Sequence, residues 1–242
     1  MMTKKENLII FFDCYNSYFN DIKKYDQFSD NYKLTYCSFD EFKKDQKITI
    51  DIVNKKIDEC LKTNNIKEQF IAIIHGQIGI WIYHYIQKYN PKIIFTISTP
   101  FAQSLLNPYL SDHPSYKIDE QSFKRQIKKM SFKYRNNENS IPNKDFAIIY
   151  DDYAKNYSFY ESANAQLNDY IYLRHYYKTK IENNHYFIFG QNDQLMNVKK
   201  QIKILKKKNA NYLIIENCSY FVMFDQSKIC IEYLKEKLKT IN

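Results

Sequence analysis

The feature that most constrains this chain is an alternation of short apolar runs with longer amphipathic ones. Leu8 to Phe12 is a continuous apolar run of strand length. Lys33 to Phe39 alternates and reads as a second strand. Ile48, Ile52, Val53, Ile57 and Leu61 recur at helical spacing. Phe70 to Ile74 is a buried-strand signal, Ile78 to Tyr89 a helix stopped by Asn90-Pro91, and Lys92 to Ser98 a strand closed by Thr99-Pro100. The pattern returns with a strand over Tyr186 to Phe189, a helix over Leu195 to Lys207, a strand over Tyr212 to Ile215 and a helix over Gln226 to Leu238. Strand–helix repetition of this kind predicts an α/β fold, a mostly parallel sheet with crossover helices on both faces.

The 242 residues suit one domain over 1–242. From about 100 to 178 the alternation stops. That stretch is rich in aromatics, among them Tyr109, Phe123, Phe132, Tyr150, Phe159 and Tyr172. It has helical patterning over Gln121 to Phe132 and Ser158 to Tyr176. An insertion there, between two halves of a parallel sheet, is expected to form a mainly helical cap over the strands' carboxyl ends.

Charge and cysteine usage narrow the function classes. The formal charge is +9, supplied almost entirely by lysines spread along the chain. The densest runs, Lys124 to Lys133 and Lys199 to Lys208, have apolar residues at helical spacing between the lysines. They read as solvated helix faces before they read as a polyanion site, and nucleic acid is not the favoured partner. Five cysteines (Cys14, Cys37, Cys60, Cys218, Cys230) are an odd number without zinc or CxxC spacing. Reduced thiols in a cytoplasmic protein are the simplest account. No run approaches the length of a membrane span, and Leu8 to Phe12 is too short for a leader. There is no phosphate loop, no dinucleotide fingerprint and no His/Cys metal spacing, so no cofactor is expected. His84, His113, His175 and His185 are isolated.

Ligands of open α/β sheets bind outside the carboxyl ends of the strands. Four such ends carry polar residues. They are Asp13-Cys14, His75-Gly76-Gln77-Ile78-Gly79, Asn192-Asp193 and Cys218-Ser219-Tyr220. Their order resembles the α/β-hydrolase superfamily, whose nucleophile sits on a strained strand-to-helix turn, followed along the chain by an acid and a histidine. Gln77 then aligns with the nucleophile, Asp193 after Gly190 with the acid, and Tyr220 with the histidine. An alternative register puts Gly76 at the nucleophile position. All three glycines of the chain fall inside these motifs.

The resemblance implies a hydrolase-like fold, and the departures from it bear on chemistry. Neither Gln77 nor Gly76 offers a nucleophile. A tyrosine, with an ordinary pKa of about 10, is a poor base at Tyr220. Asp13-Cys14 stands where the family has His-Gly, and a carboxylate there repels a developing oxyanion. The expectation is a non-catalytic hydrolase-like protein. Asp13, Cys14, Gln77, Ile78 and Tyr220 would contact a small apolar or acyl-type ligand, or a protein partner.

Two rivals stand beside it. One is an ester or thioester hydrolase with a rearranged site drawing on Asp13, Cys14, His75, Asp193 and Tyr220. The other is a polyanion-binding protein using the lysine-rich helices. Each site residue also has a structural reading: Gln77 satisfying helix amides, Asp193 capping the helix that begins near Leu195, Tyr220 as a packed aromatic, His75 as a strand-end core residue, and Cys14 as an inert thiol.

Overall fold

The computed structural model describes residues 5–12, 21–39, 49–67, 69–76, 78–99, 147, 180–193 and 196–240. Six strands form one sheet in the order β2-β1-β3-β4-β5-β6. They are β1 (Glu6–Phe12), β2 (Tyr32–Ser38), β3 (Ile71–His75), β4 (Ile93–Ile97), β5 (His185–Gly190) and β6 (Asn211–Ile215). Every neighbouring pair is parallel; Leu8 sits opposite Leu34 on one side and Ile71 on the other. This is the sheet the apolar runs predict. Parallel strands joined by crossovers are covered on both faces, so β3 and β4 can be apolar throughout, and every residue of both is buried.

The two-residue period of the strands divides the core in two. On one face Ile9, Phe11, Ala72, Ile74, Ile94 and Phe187 pack with Val53, Ile57, Trp81, Ile82 and Leu205. Those partners lie on α1 (Ile50–Thr63), α2 (Gly79–Ile86) and α3 (Val198–Lys207). On the other face Leu8, Ile10, Ile73, Phe95 and Ile188 meet Tyr25, Phe28, Cys230, Ile231 and Leu234. A 3₁₀ segment (Asp21–Phe28), the short α4 (Val222–Asp225) and α5 (Ser227–Lys239) supply that cover.

Helix ends follow local chemistry. Thr49 is extended, and its hydroxyl accepts the Ile52 amide at 3.3 Å, capping α1. Asn65, Asn90 and Asn209 take left-handed φ of 54°, 51° and 51° just beyond helical segments, the role open to asparagine there. Asn197, whose side chain accepts the Lys200 amide at 3.1 Å, caps α3. The expectation that Asp193 caps this helix is therefore corrected. Asp193 lies upstream, and its Oδ1 accepts the Met196 amide at 3.0 Å. Lys199, Lys200, Lys203, Lys206 and Lys207 are exposed on α3 while Leu205 faces the core, the solvated face its spacing predicts.

The expected cap over about 100–178 lies outside the described residues. The chain leaves the sheet for it from the carboxyl end of β4 and rejoins at the start of β5. Among the described residues no helix is long and apolar enough to cross a membrane.

Candidate functional site

The strand order fixes where a site can form. From β1 the chain moves outward to β2, then returns to the other side of β1 as β3 and continues through β4, β5 and β6. The direction reverses between β1 and β3, and a sheet of this kind opens a crevice at the carboxyl ends of the strands that flank such a reversal. The carboxyl ends of β1 at Phe12 and of β3 at His75 flank that reversal. Asp13, Cys14 and Gln77 lie outside the described residues; Gly76 and Ile78 flank Gln77.

Gly76 is the turn residue after β3 and has φ 82°, in the left-handed region that glycine enters without strain. Its amide donates to the Ile97 carbonyl at 3.2 Å, and its own carbonyl accepts the Gly79 amide at 3.2 Å. The strand is thereby turned within three residues into α2, a strand-to-helix turn of the kind that presents a nucleophile in hydrolases. Ile78 is buried at the start of α2.

The turns after β4, β5 and β6 are stitched to one another. The Ser98 amide donates to the Ile188 carbonyl at 3.0 Å, and its hydroxyl donates to the Tyr220 carbonyl at 2.5 Å. Gln191 and Asn192 amides donate to the Ile215 and Cys218 carbonyls at 2.9 and 2.8 Å. These bonds bring the segment carrying Asp193 against the segment carrying Tyr220. Asp193 is 9% exposed and Tyr220 2%, and the Tyr220 ring packs edge-on against Phe221 at 5.4 Å. Ser219 donates through both its amide (2.9 Å) and its hydroxyl (2.5 Å) to Asp225 Oδ2, which fixes the loop that presents Tyr220.

His75 is 3% exposed and does not join this group. Its Nε2 is 2.5 Å from the Tyr25 hydroxyl, with the two rings edge-on. Burial pushes its pKa down to about 3, so the imidazole is neutral at physiological pH and a weak proton acceptor. The Cys218 thiol is pushed well above its ordinary range, first by burial and then by the nearby Asp225, Cys230 and Asp193, and is held as the unreactive thiol. Among the described residues no cluster of His, Cys, Asp or Glu could hold a metal ion.

Sequence reasoning read Ser98 only as the end of a strand, gave Ser219 no role beyond its place in a polar strand end, and passed over Tyr25. Ser98 has a left-handed φ of 50° and binds a residue far along the chain. Nothing local signals either property.

Neither a protein-family model nor a curated protein matches the sequence. Solved structures do. A meta-cleavage product hydrolase from Pseudomonas fluorescens IP01 superposes with a TM-score of 0.77 at 10% identity, covering 99% of this chain and 92% of its own. The 2-hydroxy-6-oxo-6-phenylhexa-2,4-dienoate hydrolase of Rhodococcus sp. strain RHA1 gives 0.72 at 8% identity, with 97% and 91% covered. A serine hydrolase from the polyaromatic-hydrocarbon-degrading bacterium Cycloclasticus zankles gives 0.71 at 12% identity, with 96% and 89% covered. Agreement over nearly the whole of both chains at such low identity speaks to architecture, and this chain has the α/β-hydrolase fold.

Proposed function

We propose that this is a hydrolase-fold protein without acyl-transfer chemistry, which uses the crevice at the carboxyl edge of its sheet to hold a small apolar or acyl-type molecule or a partner protein. The observation that carries this reading is Gly76. The left-handed turn after β3 is the position from which a hydrolase of this fold presents its nucleophile, and the residue found there has no side chain. This favours the register in which Gly76, not Gln77, takes that place, and neither residue can attack a carbonyl.

Two further observations support it. Tyr220 is a buried aromatic in the histidine's place, and a phenol is a poor base at neutral pH. The nearest histidine by sequence to the turn, His75, is committed to Tyr25 and is too weak a base to activate Cys14.

A second reading, an ester or thioester hydrolase with a rearranged site, is favoured by one observation: Asp193 is retained, largely buried, on the turn after β5 and against the β6 turn. The structural neighbours named above are hydrolases by description, which accords with it equally. Hydrolysis of a panel of short- and medium-chain acyl esters and thioesters separates the two. The first reading predicts no turnover above the buffer rate. Turnover that is lost in Asp193→Asn or Cys14→Ala, with the fold intact by circular dichroism, would establish the second.

A further inference from the structure

The amino edge of the sheet, remote from the crevice, carries a cation set between aromatic rings. Helix α2 starts after the carboxyl end of β3, and a 3₁₀ turn (Gln87–Tyr89) carries the chain on toward the start of β4. Tyr85, Lys88 and Tyr89 stand on that last stretch at the spacing of helical neighbours. The Lys88 ammonium lies 3.6 Å from the centre of the Tyr85 ring and 4.8 Å from that of Tyr89. The two rings are 6.3 Å apart and inclined at 71°, so they form two walls of a corner. Asp58 of α1 completes it. Its Oδ2 accepts the Tyr85 hydroxyl at 2.8 Å, and its Oδ1 accepts the Tyr89 hydroxyl. Both rings also pack against the core cluster on this face. The core and the carboxylate therefore fix the rings whether or not Lys88 is in place.

This corner favours positive charge, yet it leaves the donors of an ammonium underused. A lysine ammonium has three N–H donors and is strongly hydrated. Its one hydrogen bond here, among the described residues, runs to Asp58 Oδ1 at 3.5 Å. That is well beyond the length of about 2.7–2.9 Å usual for a charge-assisted bond. The carboxylate oxygens are already engaged by the two phenols. What the corner offers a cation is ring faces and nearby negative charge, without a short acceptor for an N–H. A methylated ammonium needs no such acceptor and gains from both. We propose that Tyr85, Tyr89 and Asp58 form a binding site for a quaternary methylammonium group, and that Lys88, with 46% of its side chain exposed, is the built-in occupant that swings out to admit it. Two sources carry this group: a small molecule of the choline type and a trimethylated lysine side chain.

The site is independent of the reading proposed for the crevice. The test is calorimetric titration of the full-length protein with tetramethylammonium chloride, set against ammonium chloride at the same ionic strength. The expected result is saturable binding of tetramethylammonium and binding of ammonium about tenfold weaker. Lys88→Ala removes an exposed side chain and should tighten tetramethylammonium about fivefold, the factor by which a cation–π contact of ordinary strength keeps the corner self-occupied. Tyr85→Ala should abolish binding; the comparison of wild type with Lys88→Ala does not depend on that variant folding. Choline and N-acetyl-trimethyllysine amide, titrated into Lys88→Ala, separate the two sources, and equal affinities would mean that the methylammonium group alone is read. No saturable binding of tetramethylammonium by either wild type or Lys88→Ala would overturn the inference. So would equal affinity for ammonium and tetramethylammonium, or weaker binding in Lys88→Ala than in wild type.

Discussion

A Cβ placed on Gly190 would stand 2.1 Å from the carbonyl oxygen of Ser219 and 2.5 Å from that of Cys218. The turn after β5 and the loop after β6 therefore touch backbone to backbone, and that contact is what sets Asp193 and Tyr220 on adjoining segments. Gly190→Ala must force the two segments apart and break the 2.8 Å bond from the Asn192 amide to Cys218. The expected cost is about 3 kcal/mol, the upper part of the overpacking range. Urea denaturation checks it. An unchanged midpoint would mean that the two loops are not in contact in solution.

Ser98 combines a left-handed backbone with a buried hydrogen bond to Tyr220, and two substitutions separate the contributions. Ser98→Ala removes the bond, at about 1 kcal/mol, and keeps a side chain in an unfavourable conformation. Ser98→Gly also removes the bond but relieves roughly 1 kcal/mol of conformational strain. The glycine variant is expected to be the more stable of the two, close to wild type, by thermal or urea unfolding. The reverse order would show that the left-handed conformation is not held in solution.

Two buried histidines predict an acid-side loss of stability. Burial pushes His75 down to about 3; it pushes His185, bonded through Nδ1 to the Tyr83 hydroxyl at 2.8 Å, down to about 4 against the opposing charge of Glu182. Both lie below the unfolded value of about 6.5. Between that value and the folded ones the unfolded chain binds more protons than the native state, so stability rises with pH there. The contribution is complete above about pH 6.5 and is lost as pH falls. Each histidine adds up to about 1.4 kcal/mol per pH unit to the slope. Denaturation between pH 4.5 and 7.5 should show the slope reduced by about one proton in His75→Phe and again in His185→Phe. Slopes identical to wild type would place both imidazoles in water.

The strands were legible because burial on both faces leaves an unbroken apolar run, as in Ile93–Ile97. Helix α1 was legible from Val53, Ile57 and Leu61 at helical spacing. The 3₁₀ segment Asp21–Phe28 was not, because its two buried aromatics, Tyr25 and Phe28, stand among charged residues in too short a stretch for periodicity to register. The start of α3 was misplaced because Asp193 and Asn197 both offer a side-chain acceptor to an amide three residues on, and local pattern cannot choose between them. At the site, the order of the motifs was readable along the chain. The left-handed φ of Gly76 after β3 was visible only in the backbone. The Ser98–Tyr220 and Tyr25–His75 bonds join residues far apart in sequence, and no local rule reaches that far.

The central claim is the lack of an activated nucleophile at the sheet's carboxyl edge. Reaction of the folded protein with a fluorophosphonate, followed by intact mass, tests this without any guess about substrate, because such reagents modify a serine whose proton a neighbouring base has taken. The account predicts an unmodified mass at reagent concentrations that fully label a working serine hydrolase. A single stoichiometric adduct, mapped to Ser98, Ser219 or any other side chain beside the crevice and lost in Asp193→Asn, would contradict it.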